Sequence, residues 1–214
     1  MSEALAAVTE LAGPVTENGA WGAAWCYGNR LETARSGRHP GADPEFAKVG
    51  EIRTDMVLFH VAPGERHGPR ELLPFLRREA ERQWAFCHSG TVRHPERIDT
   101  GGRIVDGRSP SEKLFLHVLS QFDVDDPLPS VERALEVLPG ETDLNFLMLS
   151  ADMMVASCRY DTGEGDPDKA PKLWYGTGES MRIIATRPVA AADVGWDALA
   201  NGSVYALSRK RWEL

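Results

Sequence analysis

"LNFLMLSADMMVASCRY", residues 144–160, sets two runs of long apolar and β-branched side chains on either side of Ser150, Ala151 and Asp152. Two such runs divided by a short polar turn read as the strands of a β-hairpin, so the sheet is antiparallel at this point. Runs of the same kind lie outward on both sides: DMVLFHV at 55–61, QWAFCH at 83–88, MRIIAT at 181–186 and SVYALS at 203–208. Each is bounded by Gly, Pro, Asp or Ser, and together they predict a multi-stranded, largely antiparallel assembly.

Two segments break the strand pattern with a helical period. In "SPSEKLFLHVLSQF" (109–122), Leu114, Phe115, Val118, Leu119 and Phe122 share one helical face. Ser109 suits the N-cap, Pro110 the first helical position and Glu112 the third, which is a capping-box arrangement. In "SVERALEVL" (130–138), Val131, Ala134, Leu135 and Leu138 recur at helical spacing after a Ser130 cap. "DTGEGDPDKAP" (161–171) is polar enough to be an exposed loop, and no internal repeat is visible. Helices and strands mixed without βαβ alternation imply an α+β fold, with sheets covered by helices.

A chain of 214 residues can bury one substantial core, so a single domain over 1–214 is expected. With 24 Lys and Arg against 32 Asp and Glu, the net charge of −8 disfavours a phosphate-backbone binder, and nucleic acid is not an expected partner. No apolar run approaches the roughly 18 residues of a membrane span. Glu3 and Glu10 stand where a secretion signal needs a basic start, so no membrane association and a cytoplasmic location are expected. Cys26, Cys87 and Cys158 are too far apart for a disulfide framework or a zinc pattern and read as three buried thiols. Neighbours on a strand point to opposite faces, so Cys87 and His88 do not form a nucleophile pair by themselves. No cofactor and no metal ion are expected.

"WAFCHSGT" (84–91) is a strand-like run that stops at a short polar turn containing glycine, and its neighbours indicate what such a turn holds. In order along the chain, "GAWGAAW" (19–25), "VLFHVAPGE" (57–65), "LLPF" (72–75), "WAFCHSGT", "SPSE" (109–112) and the hairpin at 144–160 form one series. The series resembles the class II glutamine amidotransferases, in particular the small stand-alone type that includes the γ-glutamyl amidase of ergothioneine biosynthesis. The resemblance spans most of residues 19–208. It implies an N-terminal nucleophile hydrolase-like αββα sandwich: two stacked, mainly antiparallel sheets between helices. It further implies a nucleophilic Cys at the mature N-terminus, an Arg for the substrate carboxylate, an Asp for its ammonium group, and an Asn-Gly turn as oxyanion hole. His60 and His88 would end neighbouring strands beside the pocket.

At these positions the residues depart from the family. Position 2 is Ser2, the Arg position is Ala62, the Asn of the oxyanion turn is Ser89, followed by Gly90, and the Asp position is Pro110. Asp and Gly are likewise replaced by Gly19 and Ala20 in the first segment. A methyl group cannot pair with a carboxylate, and proline has neither a side-chain acceptor nor an N–H, although it is well suited to open a helix. The expected protein has therefore lost the glutaminase residues and acts as a non-catalytic partner, scaffold or ligand-binding subunit of a biosynthetic pathway. The alternative is a repurposed amidohydrolase or amidotransferase using an N-terminal Ser2, after removal of Met1, on a substrate other than free glutamine. In both readings His60, Ala62, His88, Ser89, Gly90 and Pro110 line the pocket. The expected partners are a protein subunit, a second copy of the chain, or a small-molecule ligand.

Overall fold

The computed structural model describes residues 2–15, 19–63, 71–107, 109–138, 143–160, 171–179, 181–190 and 192–209. Eleven strands are described: β1 (Gly19–Tyr27), β2 (Arg30–Ser36), β3 (Val57–Pro63), β4 (Phe75–Glu79), β5 (Arg82–Ser89), β6 (Asn145–Leu149), β7 (Met153–Cys158), β8 (Trp174–Thr177), β9 (Arg182–Ala185), β10 (Gly195–Ala198) and β11 (Ser203–Ser208). Four α-helices accompany them: α1 (Ser2–Ala12), α2 (Pro44–Val49), α3 (Pro110–Gln121) and α4 (Pro127–Glu136).

The hairpin at 144–160 lies inside a five-stranded sheet ordered β11-β7-β6-β5-β4, with every pairing antiparallel. Its turn is closed by the Ser150 N–H donating to the Met153 carbonyl at 2.8 Å, while the Ser150 hydroxyl donates to Asp152 at 2.7 Å. Alternation along β5 then divides its side chains between two layers. Trp84 and Phe86 face α3, where Phe86 stacks on Phe115 with ring centroids 4.8 Å apart and Trp84 meets Phe122 edge-on at 4.7 Å. Gln83 points the other way and accepts from the Leu31 N–H of β2 at 3.0 Å.

That opposite layer is a three-stranded antiparallel sheet, β2-β1-β3. Ala24, Cys26 and Leu58 of this sheet share one core with Ala85 and Cys87 of β5. Trp21 and Ala23 face outward from β1 and are covered by Val8 of α1 and by Phe46 and Val49 of α2. The order helices, sheet, sheet, helices is the expected αββα sandwich. A second three-stranded sheet, β10-β8-β9, packs beside it through Leu173, Leu199 and Cys158 on one side and through Ala7, Val189 and Ala192 on the other.

The helices differ from their sequence reading in α1, α3 and α4, and α2 (Pro44–Val49) is likewise not read from the sequence. Nothing before residue 19 is read as an element from the sequence, yet Ser2–Ala12 is helical and buries Ala7, Val8 and Ala12. The fourth helix begins a turn earlier than the Ser130 cap suggests, with Pro127 at its first position. Prolines fit there because first-turn N–H groups have no intrahelical acceptor to lose. Ser130 is completely buried, and its hydroxyl donates back to the Pro127 carbonyl at 2.9 Å. Ser109 is the N-cap of α3 but makes no side-chain capping bond, and Glu112 is turned to another use described below. Among the described residues no helix is long and apolar enough to cross a membrane. The segment 161–170, read as an exposed loop, lies outside the described residues.

Candidate functional site

A cavity of about 340 Å³ opens where β1 and β3 meet the start of α3. Ala20 and Trp21 come from β1, His60 and Ala62 from β3, and Ser109, Pro110 and Ser111 from the beginning of α3. The remaining wall is Glu71, Leu72 and Leu73, the segment leading into β4. That segment lies directly on β1. A Cβ built on Gly22 would sit 1.9 Å from the Leu73 carbonyl oxygen, so only glycine allows the two backbones to approach this closely. Arg35 of β2 also holds the segment, donating to the Leu72 carbonyl at 3.3 Å. On the far side the Trp21 indole N–H donates to Asp43 at 3.0 Å, and its ring packs edge-on against Phe46. Burial alone would raise the Asp43 carboxyl, but hydrogen bonds from Ser36, Trp21 and the Glu45 N–H outweigh it and hold the group below its ordinary range.

The turn after β5 is equally constrained. Gly90 has φ +150°, and a Cβ there would lie 2.1 Å from the Asp143 carbonyl oxygen. The same carbonyl is 2.8 Å from His88 Nε2, while His88 Nδ1 is 2.9 Å from the Ser111 hydroxyl. A main-chain carbonyl only accepts, so Nε2 carries a proton. In the neutral ring this leaves Nδ1 bare, and the Ser111 hydroxyl donates to it. His88 is thus buried behind the cavity and reaches it through Ser111.

Glu112 anchors the approach to α3. Its carboxylate, 2% exposed, accepts from the Asp106 N–H at 2.9 Å and the Gly107 N–H at 2.8 Å and is paired with Arg77. Arg77 also pairs with Asp106 at 3.0 Å. Glu112 therefore gathers the loop that delivers Ser109, Pro110 and Ser111 to the cavity, which is why it is not free to close a capping box.

Of the residues expected in the pocket, His60, Ala62 and Pro110 line it. Ser89 and Gly90 are exposed at the end of β5, with Ser89 in register opposite Asn145, and are not part of the cavity wall. His60 and His88 lie on facing sheets and not on neighbouring strands of one sheet, because β3 pairs with β1 and β5 with β4 and β6. Ser2 is the first residue of α1, and its side chain lies outside the described residues. Sequence reasoning passed over Trp21, Glu71 and Ser111 as wall residues. Ser111 sits inside the "SPSE" segment already singled out, but only the tertiary fold brings it against His88.

The cysteines are free and buried. Burial, with smaller contributions from neighbouring charges, pushes the Cys26 thiol up to about 11, and burial likewise raises Cys87 and Cys158. Cys87 and His88 project to opposite sides of β5, as strand alternation requires.

The sequence matches no protein-family model, and no curated protein is similar to it in sequence. Solved structures are similar in fold. A glutamine phosphoribosylpyrophosphate amidotransferase from Bacillus subtilis superposes with a TM-score of 0.73 at 16% identity, covering 97% of this chain; this chain spans 44% of that protein. A glutamine aminotransferase class-II domain protein from Silicibacter pomeroyi gives 0.62 at 20% identity, covering 89% of this chain and 88% of that one. A predicted glutamine amidotransferase from Pseudomonas aeruginosa gives 0.59 at 18% identity, covering 89% and 85%. The fold is that of the class II glutamine amidotransferases.

Proposed function

We propose that this chain is a class II glutamine amidotransferase-like domain that has lost the glutaminase reaction and serves a biosynthetic pathway as a ligand-binding partner. The observation carrying this reading is that Ala62 and Pro110 both line the cavity, at the positions where the family resemblance puts the Arg and Asp that clamp glutamine. A charge-assisted hydrogen bond contributes roughly 1.5–3 kcal/mol, so losing a two-pronged carboxylate clamp weakens binding by about 3–6 kcal/mol, at least 100-fold. A bound glutamine would in addition carry its charges into a partly desolvated site without those partners. A cavity is present at these residues, and the Leu73 backbone of its wall lies against β1 at Gly22. A small ligand without a carboxylate suits a wall that sets Ala20, Ala62, Leu73 and Pro110 beside His60 and Glu71.

Titration calorimetry with L-glutamine, beside an ammonia-release assay, tests the reading. No heat at millimolar glutamine and no ammonia above a heat-killed control are expected; micromolar binding or turnover would refute it. The alternative, a hydrolase working through Ser2, requires Met1 to be removed so that the Ser2 amine is free to act as base. Its test is Ser2→Ala compared with the unsubstituted chain, with intact mass read for Met1; unchanged function is the expected result.

A further inference from the structure

We infer that Ser111 and His88 form a nucleophile–base pair that opens onto the cavity and accepts acyl groups from small, non-anionic esters or amides. This goes beyond the ligand-binding reading and uses the same cavity. Binding needs only the walls, whereas this step needs Ser111 to react.

The geometry has the three parts of an activated hydroxyl: nucleophile, base, and a third group that orients the base. Ser111 lines the cavity and is 2.9 Å from His88 Nδ1, the ring nitrogen left bare by the tautomer derived above. The orienting group is the Asp143 carbonyl, 2.8 Å from Nε2. That carbonyl packs closely against Gly90, where a built Cβ would lie 2.1 Å from its oxygen.

Charge developing on a substrate oxygen has donors nearby. Pro110 has no N–H, so the Ser111 N–H is the first donor at the N-terminus of the 12-residue helix α3, where the helix dipole also favours negative charge. Ser109 lines the same cavity, and its hydroxyl is not used for capping. In the step itself, Ser111 Oγ bonds to the acyl carbon as its proton passes to His88 Nδ1. The carbon's bond to the leaving oxygen or nitrogen then breaks as that proton passes on to the leaving alcohol or amine. Water reverses the sequence: it adds to the acyl-serine, gives its proton to Nδ1, and releases the acid with Ser111 restored. The cavity of about 340 Å³, with Ala20, Ala62, Leu73 and Pro110 beside His60 and Glu71, limits the acyl group to a short one, and the Glu71 carboxylate disfavours an anionic one.

The test is covalent labelling of the full chain with a small alkyl fluorophosphonate, with the adduct mapped by peptide mass. One adduct on Ser111 is expected. His88→Gln should slow its formation by about 100-fold or more at neutral pH, the usual contribution of a general base, with circular dichroism confirming the fold. Ser111→Cys supplies a second readout that does not depend on fluorophosphonate chemistry. Its new thiol should be alkylated by iodoacetamide, and more slowly when His88→Gln is added. No adduct, an adduct on Ser2, Ser89 or Ser109 instead, or labelling indifferent to His88 overturns the inference. Such an outcome would leave the ligand-binding reading intact, since that reading fails only on calorimetry.

Discussion

Replacing Glu112 by Ala tests the claim that this carboxylate organises the cavity rim. The substitution removes the acceptor of two backbone N–H groups, Asp106 at 2.9 Å and Gly107 at 2.8 Å, and one partner of Arg77. Each charge-assisted bond contributes roughly 1.5–3 kcal/mol, which sets an upper range of about 3–6 kcal/mol for the pair. Two features of the structure favour the lower end. Arg77 keeps Asp106 as a partner and is itself 23% exposed, so little is added for it, and Asp106 is exposed, so water can reach its freed N–H. A loss of about 3 kcal/mol follows, and for a domain of this size it lowers Tm by about 6–12 °C. Glu112→Gln, which keeps one acceptor oxygen, should lose about half as much. Were Glu112 the second half of a capping box, its removal would cost only about 1 kcal/mol, and Ser109→Ala would cost roughly 0.5–2 kcal/mol for the lost cap. In this structure Ser109→Ala should be nearly neutral, because no capping bond is made. Thermal denaturation followed by circular dichroism separates the cases. A Tm loss under about 2 °C for Glu112→Ala would show that the loop is held by something else.

Gly22→Ala should destabilise by about 1–3 kcal/mol or more, because its Cβ would meet the Leu73 carbonyl oxygen at 1.9 Å, whereas Gly37→Ala, with nothing within 4 Å, should be silent in the same melting experiment. The Asp43 carboxyl is held below its ordinary value, so its contribution is complete above about pH 4 and is lost as pH falls through the lower folded value. Urea unfolding at pH 7, 4 and 3 should therefore show stability falling in acid, and Asp43→Asn should be less stable at pH 7 with a flatter acid dependence; an equally steep dependence would contradict this origin. The three buried thiols, with Cys26 pushed up to about 11, should resist a disulfide reagent at pH 8 until the chain is unfolded, and rapid reaction of any of them in the native protein would count against the packing described.

Much of the fold was legible because it rests on local pattern. The hairpin through Ser150, the strands read at 55–61 and 83–88 and found at Val57–Pro63 and Arg82–Ser89, and the apolar face of α3 follow from patterns that each segment carries within itself. The order of short motifs along the chain also indicated the sandwich. Local pattern failed where the determinant was distant. Glu112 has the spacing of a capping residue, but its partners are Arg77 and a loop gathered from five and six residues upstream, and that competition is decided only when β4 is in place. Pro127 and Pro129 hid the first turn of α4, because proline breaks a helix everywhere except at such a beginning. The family resemblance likewise implied neighbouring strands for His60 and His88, whereas sheet pairing put them on facing layers. Gly22 and Gly90 are fixed by what touches them, Leu73 and Asp143, which lie about 50 residues away along the chain. The pairing of Ser111 with His88 is of the same kind: each residue was visible by itself, and only the packing of α3 against β5 brought hydroxyl and imidazole to 2.9 Å.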